Sequence, residues 1–146
     1  MITSRPAGPG EGTDLIERTE PWSGRSIDPV RQATAAEVAG ACAAAAAAQS
    51  EWVSQPLAQR EAALRAVADG IERRDDVAVR LAREVGKPIT EAQGEVARTI
   101  AIFRFYATTL RLATGEVLQG PVPSMRVLTR RRPLGVVALI TPWNFP

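Results

Sequence analysis

Arg132-Pro133-Leu134-Gly135-Val136-Val137-Ala138-Leu139-Ile140-Thr141-Pro142-Trp143-Asn144-Phe145-Pro146 is the stretch that decides the fold. Val136 to Ile140 is wholly apolar and partly β-branched. Such a run suits a strand covered on both faces, as in a parallel sheet. A strand of that kind needs neighbouring strands and a crossover helix. The helices that precede it cover at most one face. The pattern therefore predicts the front part of a larger α/β protein, cut at the first strand of its sheet.

Working back from this stretch, the pattern changes. Met125, Val127 and Thr129 alternate with Arg126, Leu128 and Arg130, a half-exposed strand signal. Gly115 to Ser124 is rich in turn residues. Before it, the apolar spacing predicts four helices. The first begins at Thr34, with Glu37 completing a capping box, and presents Val38, Cys42, Ala45 and Trp52 on one face. Pro56 opens the second, whose inward stripe is Leu57, Leu64, Val67 and Ile71. Asp75 caps a shorter third helix with Val77, Leu81 and Val85 inward. Gly86 supplies its left-handed stop, and Pro88 blocks continuation. The fourth starts at Thr90, with Gln93 completing a second capping box, and ends at Gly115. Its stripes, Val96-Ile100-Phe103-Leu110 and Ile102-Phe105-Leu112, predict cover on more than one side. Ahead of the helices, Leu15, Ile16, Ile27 and Val30 flank a Pro21-Trp22-Ser23-Gly24 turn and read as a hairpin. Residues 1–13, rich in proline and glycine, read as a disordered leader.

Composition narrows the chemistry. The 146 residues make roughly one ordinary domain. Eighteen basic residues against sixteen acidic leave a net charge of +2, which does not by itself point to nucleic acid. There is no histidine, so serine–histidine and cysteine–histidine catalysis and histidine metal sites are beyond this chain alone. Cys42 is the single cysteine; it forms no internal disulfide and no cysteine-cluster zinc site, and it fits a reducing cytoplasmic setting. Within an alanine-rich helix it reads as a small buried apolar residue rather than a nucleophile. No signal-peptide core opens the chain, and no apolar run approaches the roughly 20 residues that span a bilayer.

Several motifs together resemble the aldehyde dehydrogenase superfamily. The terminal stretch matches its proline, Gly-Val, apolar strand and Pro-Trp-Asn-Phe-Pro ending. Glu84-Val85-Gly86-Lys87-Pro88, followed by Glu91-Ala92 and Gly94-Glu95-Val96, matches its Gly-Lys-Pro region. Phe103-Arg104-Phe105-Tyr106-Ala107 matches its aromatic helix, and Trp52 and Arg60 fall at further matching positions. The resemblance covers about residues 14–146. It is similar above all to the branch acting on succinic or 2-oxoglutaric semialdehyde.

The resemblance implies an α/β fold. Residues 14–116 would be the helical part of the NAD(P)-binding domain, 117–133 an oligomerisation ribbon, and 134–146 the first strand of the dinucleotide-binding sheet with its active-site loop. It implies oxidation of an aldehyde to a carboxylic acid with NAD or NADP, in a parent enzyme that is a homodimer or homotetramer, with no nucleic acid, membrane or metal involved. Asn144 would be the oxyanion stabiliser: its amide donates N–H groups without a charge that titrates. Ile140, Thr141, Pro142 and Trp143 would line the cofactor cleft, at the carboxyl end of a strand where ligands sit in such sheets. Phe145 would wall the aldehyde tunnel. From the residues alone, Asn144 reads first as a turn former after a strand, and it is the resemblance that reverses this; Trp143 and Phe145 read also as core packing.

The family's nucleophilic cysteine, general-base glutamate, glycine-rich turn and cofactor-phosphate lysine all map past residue 146, so the chain by itself is expected to be inactive. Lys87, the only lysine, reads as a contact to the carboxyl end of the third helix. The Arg130-Arg131-Arg132 run has no interleaved aromatics to favour nucleic acid, and the resemblance places it on the strand that crosses between subunits, which implies a solvated or interface role. The alternatives are a naturally truncated, non-catalytic remnant and a helical interaction module. A finished module would not leave an apolar edge such as Val136 to Ile140 unpaired.

Overall fold

A computed structural model of the chain describes residues 15–112 and 115–146. The leader expected over 1–13 lies outside the described residues. The first element is the antiparallel hairpin of β1 (Leu15–Thr19) and β2 (Ser26–Arg31), with Leu15 opposite Arg31 and Thr19 opposite Ser26. Its tip is where the sequence places it, and Gly24 adopts the positive φ that the turn requires.

Four helices follow: α1 (Ala35–Ser54), α2 (Leu57–Glu72), α3 (Asp76–Val85) and α4 (Ile89–Thr109). The capping box at the start of α1 forms as expected. Glu37 N–H donates to Thr34 Oγ1 at 3.1 Å, and Thr34 N–H donates to the Glu37 carboxylate at 2.8 Å. Arg31 closes a salt bridge onto Glu37. The Arg31 guanidinium and the Thr34 amide hold this carboxyl at about 2. Gly86 ends α3 in the left-handed conformation, with φ 78°, and its N–H donates to the Ala82 carbonyl.

The second capping box does not form. The fourth helix begins one residue before Thr90, with Pro88 as its cap, and the Pro88 carbonyl accepts from Glu91 and Ala92 N–H. Proline's preset φ starts the turn early, so Thr90 lies inside the helix, where its hydroxyl has no free amide to cap. Asp75 precedes α3 but makes no side-chain cap, because its backbone is already helical. The helix expected to run to Gly115 ends at Thr109.

The core lies where α2 and α3 pack on α4. Its fully covered side chains are small: Ala68 on α2, with Ala92 and Ala107 on α4, and Ile100 beside them. Alanine lets the helix backbones approach closely. The larger residues of the expected stripes, Leu64, Val67, Ile71 and Phe103, are half-buried or exposed around this seam. Arg104 reaches across it to Asp69 (3.1 Å) and Glu72 (2.5 Å), and Arg111 reaches Glu61 at 2.9 Å.

Helix α1 buries no side chain among the described residues. Cys42, expected inside, is exposed, as are Val38 and Trp52. Helical spacing identifies a face, but burial needs an element opposite it. The second stripe of α4 is likewise bare, with Ile102, Phe105 and Leu112 exposed.

A second hairpin joins β3 (Val117–Gln119) to β4 (Arg126–Leu128), with Val117 opposite Leu128. Both of its faces are exposed, so the expected half-covered strand is paired but uncovered. Val136 to Ile140 forms no strand. It runs as irregular chain, with Leu139 and Ile140 almost fully exposed. A central strand exists only through hydrogen bonds to neighbours, and none of the described strands lies beside it. No helix among the described residues is long and apolar enough to cross a membrane.

Candidate active site

The terminal motif folds back onto the junction of α3 and α4. Phe145 N–H donates to the Pro142 carbonyl at 3.1 Å, a turn that points the motif toward α4. Between the turn and the helices lies a cavity of about 550 Å³. Trp143, Asn144 and Phe145 form one wall. Val85, Lys87, Glu91, Gly94, Glu95 and Arg98 form the other. Glu91, Glu95 and Arg98 recur at helical spacing, so one stripe of α4 faces the motif. Gly94 sits in that stripe with open space where a Cβ would project, which widens the cavity.

Lys87 is the hub of the site. Its ammonium donates to the Glu95 carboxylate and to the Asn144 carbonyl oxygen, the latter at 2.9 Å. It also sits 5.1 Å from the centre of the Phe145 ring, a cation–π distance. Lys87 and Glu95 are 12% and 14% exposed, so this ion pair is largely withdrawn from water. The expected contact with the end of α3 is not made. A long stem rooted at the helix stop carries the ammonium away to a carboxylate on α4, a stronger partner than partial charges on terminal carbonyls.

The residues singled out from the sequence divide in two. Asn144 and Phe145 line the cavity, and Trp143 joins them at its rim, 84% exposed. Ile140, Thr141 and Pro142 are exposed and do not line it. The four charged residues of the opposite wall, Lys87 in the α3–α4 connection and Glu91, Glu95 and Arg98 on α4, were not singled out as site residues. The isolated lysine and the acidic-basic stripe of α4 were the available signals.

Glu20 of the first hairpin, which contacts α3 through Arg83, is buried and fully engaged. Ser23 Oγ donates to it at 2.7 Å, Arg83 Nε at 2.5 Å and Arg25 Nε at 3.3 Å. These donors, led by Ser23, hold its carboxyl down at about 2. Arg18 pairs with Glu84 at 2.6 Å, and Pro21 packs on Gly86. The hairpin thus clamps the segment from which Lys87 projects.

Comparison with known proteins identifies the family. The model of the "Aldehyde dehydrogenase family" matches residues 9–146. The chain is 42% identical to alpha-ketoglutaric semialdehyde dehydrogenase of Bacillus subtilis over 80% of its own length and 24% of that protein. It is 36% identical to glutarate-semialdehyde dehydrogenase of Pseudomonas putida over 90% of its length and 28% of that protein. The crystal structure of succinate-semialdehyde dehydrogenase from Burkholderia pseudomallei superposes with a TM-score of 0.83 at 36% identity, covering 91% of this chain and 28% of that one. The chain thus spans about a quarter of the length of the curated relatives it matches. Matched along nearly all its length in sequence and in fold, the chain belongs to the aldehyde dehydrogenase family.

Proposed function

We propose that this chain serves as the amino-terminal quarter of an NAD(P)-dependent aldehyde dehydrogenase that oxidises an acid-bearing aldehyde to its carboxylic acid. The observation that carries this reading is the placement of Asn144 on the wall of a cavity whose opposite wall is charged. Residues 14–116 act as the helical part of the cofactor domain, 117–133 as the ribbon between subunits of a homodimer or homotetramer, and 134–146 as the first sheet strand and its loop.

Within this reading Asn144 donates its side-chain N–H to the carbonyl oxygen of the bound aldehyde as negative charge develops there. A neutral, preset donor stabilises that charge without changing its own. Phe145 forms an apolar side of the aldehyde's path. Arg98 lies on the same cavity and has no carboxylate partner among the described residues, which leaves it free for the acid group of the substrate. Relatives named for alpha-ketoglutaric, glutarate and succinate semialdehydes support that substrate class. NAD(P)+, when bound, takes up the hydride. Ile140 to Trp143 offer an uncharged, mostly apolar and exposed surface, which fits the nicotinamide end and carries no anchor for phosphate.

The test is Asn144→Ala in the full-length enzyme. Removing one such donor lowers turnover about a hundredfold or more while cofactor affinity stays nearly unchanged. Near-normal turnover would return Asn144 to the role of turn former. The 146-residue chain alone is expected to produce no NAD(P)H, since the family's nucleophile maps outside it. A chain that ends in vivo at codon 146 would favour the truncated remnant instead, and sequencing past that codon decides it.

A further inference from the structure

We infer that Lys87 is the positioning residue for Asn144: it fixes the backbone on which the oxyanion-stabilising amide stands. This rests on the role proposed for Asn144. Among the described residues, the hydrogen bond from Lys87 Nζ to the Asn144 carbonyl is the one that ties residues 141–146 to the rest of the chain, at the α3–α4 connection. The rest of that segment is exposed and irregular. An amide that stabilises charge in a transition state must be held in place beforehand. Nothing in the turn of Pro142 to Phe145 does this by itself.

Lys87 is built for the task from its root outward. Gly86 on one side is locked at φ 78°, and Pro88 on the other at φ −55°. The lysine backbone between them has little freedom. Its side chain is largely covered, and its ammonium, over the Phe145 ring, is shared between two oxygens. Glu95 neutralises the ammonium, so the site gains three directed donors at little net charge. Lysine suits this place because its donors rotate to meet a carbonyl and a carboxylate set at different angles.

The experiment is a double-mutant cycle in the full-length enzyme with Lys87→Met and Asn144→Ala. The expected result is that Lys87→Met lowers kcat about tenfold or more, the scale of a misplaced catalytic group, with KM for NAD(P)+ changed less than about twofold. In the Asn144→Ala background, Lys87→Met should cost nothing further, because the group it positions is gone. Glu95→Gln leaves the lysine in place but loosens its anchor, and should give a smaller fall of the same kind. It serves if Lys87→Met does not fold. Amide exchange at Phe145 provides a readout independent of activity, and should quicken in both Lys87 and Glu95 variants. A Lys87→Met enzyme with near-normal kcat, or losses that add on the Asn144→Ala background, would overturn the inference. Normal turnover in Asn144→Ala alone overturns the oxyanion role instead, and Phe145 exchange then still reports whether Lys87 holds the loop.

Discussion

Replacing Gly86 by alanine probes the junction on which the site is rooted. Gly86 has φ 78°, and a Cβ there would meet Pro21 Cβ at 3.0 Å and Cγ at 3.1 Å. An L-residue held in the left-handed region costs roughly 1–2 kcal/mol. Crowding a packed contact adds about 1–3 kcal/mol. The stiffer unfolded chain returns about 0.4–1 kcal/mol. The net destabilisation is about 2–3 kcal/mol. Gly24 is the built-in control, with φ 66° and nothing within 4 Å of the added Cβ. It should lose only the backbone part, about 1 kcal/mol. Native-state amide exchange at residue 86, whose N–H bonds to the Ala82 carbonyl, reads the local opening directly. At 1.4 kcal/mol per factor of ten, the Gly86→Ala variant should exchange about 30–140-fold faster there, whereas Gly24→Ala should change exchange at the hairpin about fivefold. Equal effects of the two substitutions would refute the claim that the hairpin tip is packed on the helix stop.

Other outcomes follow from the same geometry. Thr34→Ala should cost about 1 kcal/mol and fray the first turn of α1, seen as faster exchange at Glu37, because that helix has no burial to compensate for a lost cap. Ala68→Leu should destabilise the α2–α4 seam by about 1–3 kcal/mol in a denaturant titration, since the alanine is fully covered. Glu20 is held at about 2 against an ordinary 4.5, a lowered folded-state value. Its contribution is therefore present above pH 4.5 and lost as pH falls from 4.5 toward 2. Carboxylate titration by NMR should show this, and Glu20→Gln should abolish that part of the acid dependence. Purified 1–146 should be helical by circular dichroism yet aggregated or dye-binding, and deleting 133–146 should improve its solubility more than deleting 1–13. A monodisperse monomer that unfolds sharply would revive the interaction-module alternative.

What was legible in the sequence was local. The Thr34–Glu37 box, the Gly86 stop and the Pro21–Gly24 tip each depend on residues within a few positions of one another, and each forms as read. The Pro-Trp-Asn-Phe-Pro ending and the Gly-Lys-Pro region identified the family for the same reason, since a motif is carried in contiguous residues. Burial was not legible. Cys42, Val38 and Trp52 share a face by spacing, but whether that face is covered depends on an element set against it, and none of the described ones covers it. Val136 to Ile140 has a strand's composition without strand pairing, because inter-strand hydrogen bonds belong to two segments and composition to one. The pairing of Lys87 with Asn144 joins positions 57 apart in the chain, so tertiary structure alone brought the lysine to the asparagine. The isolated lysine was visible from the start; its partner was settled by the direction in which the chain folds back from Pro142 onto α4.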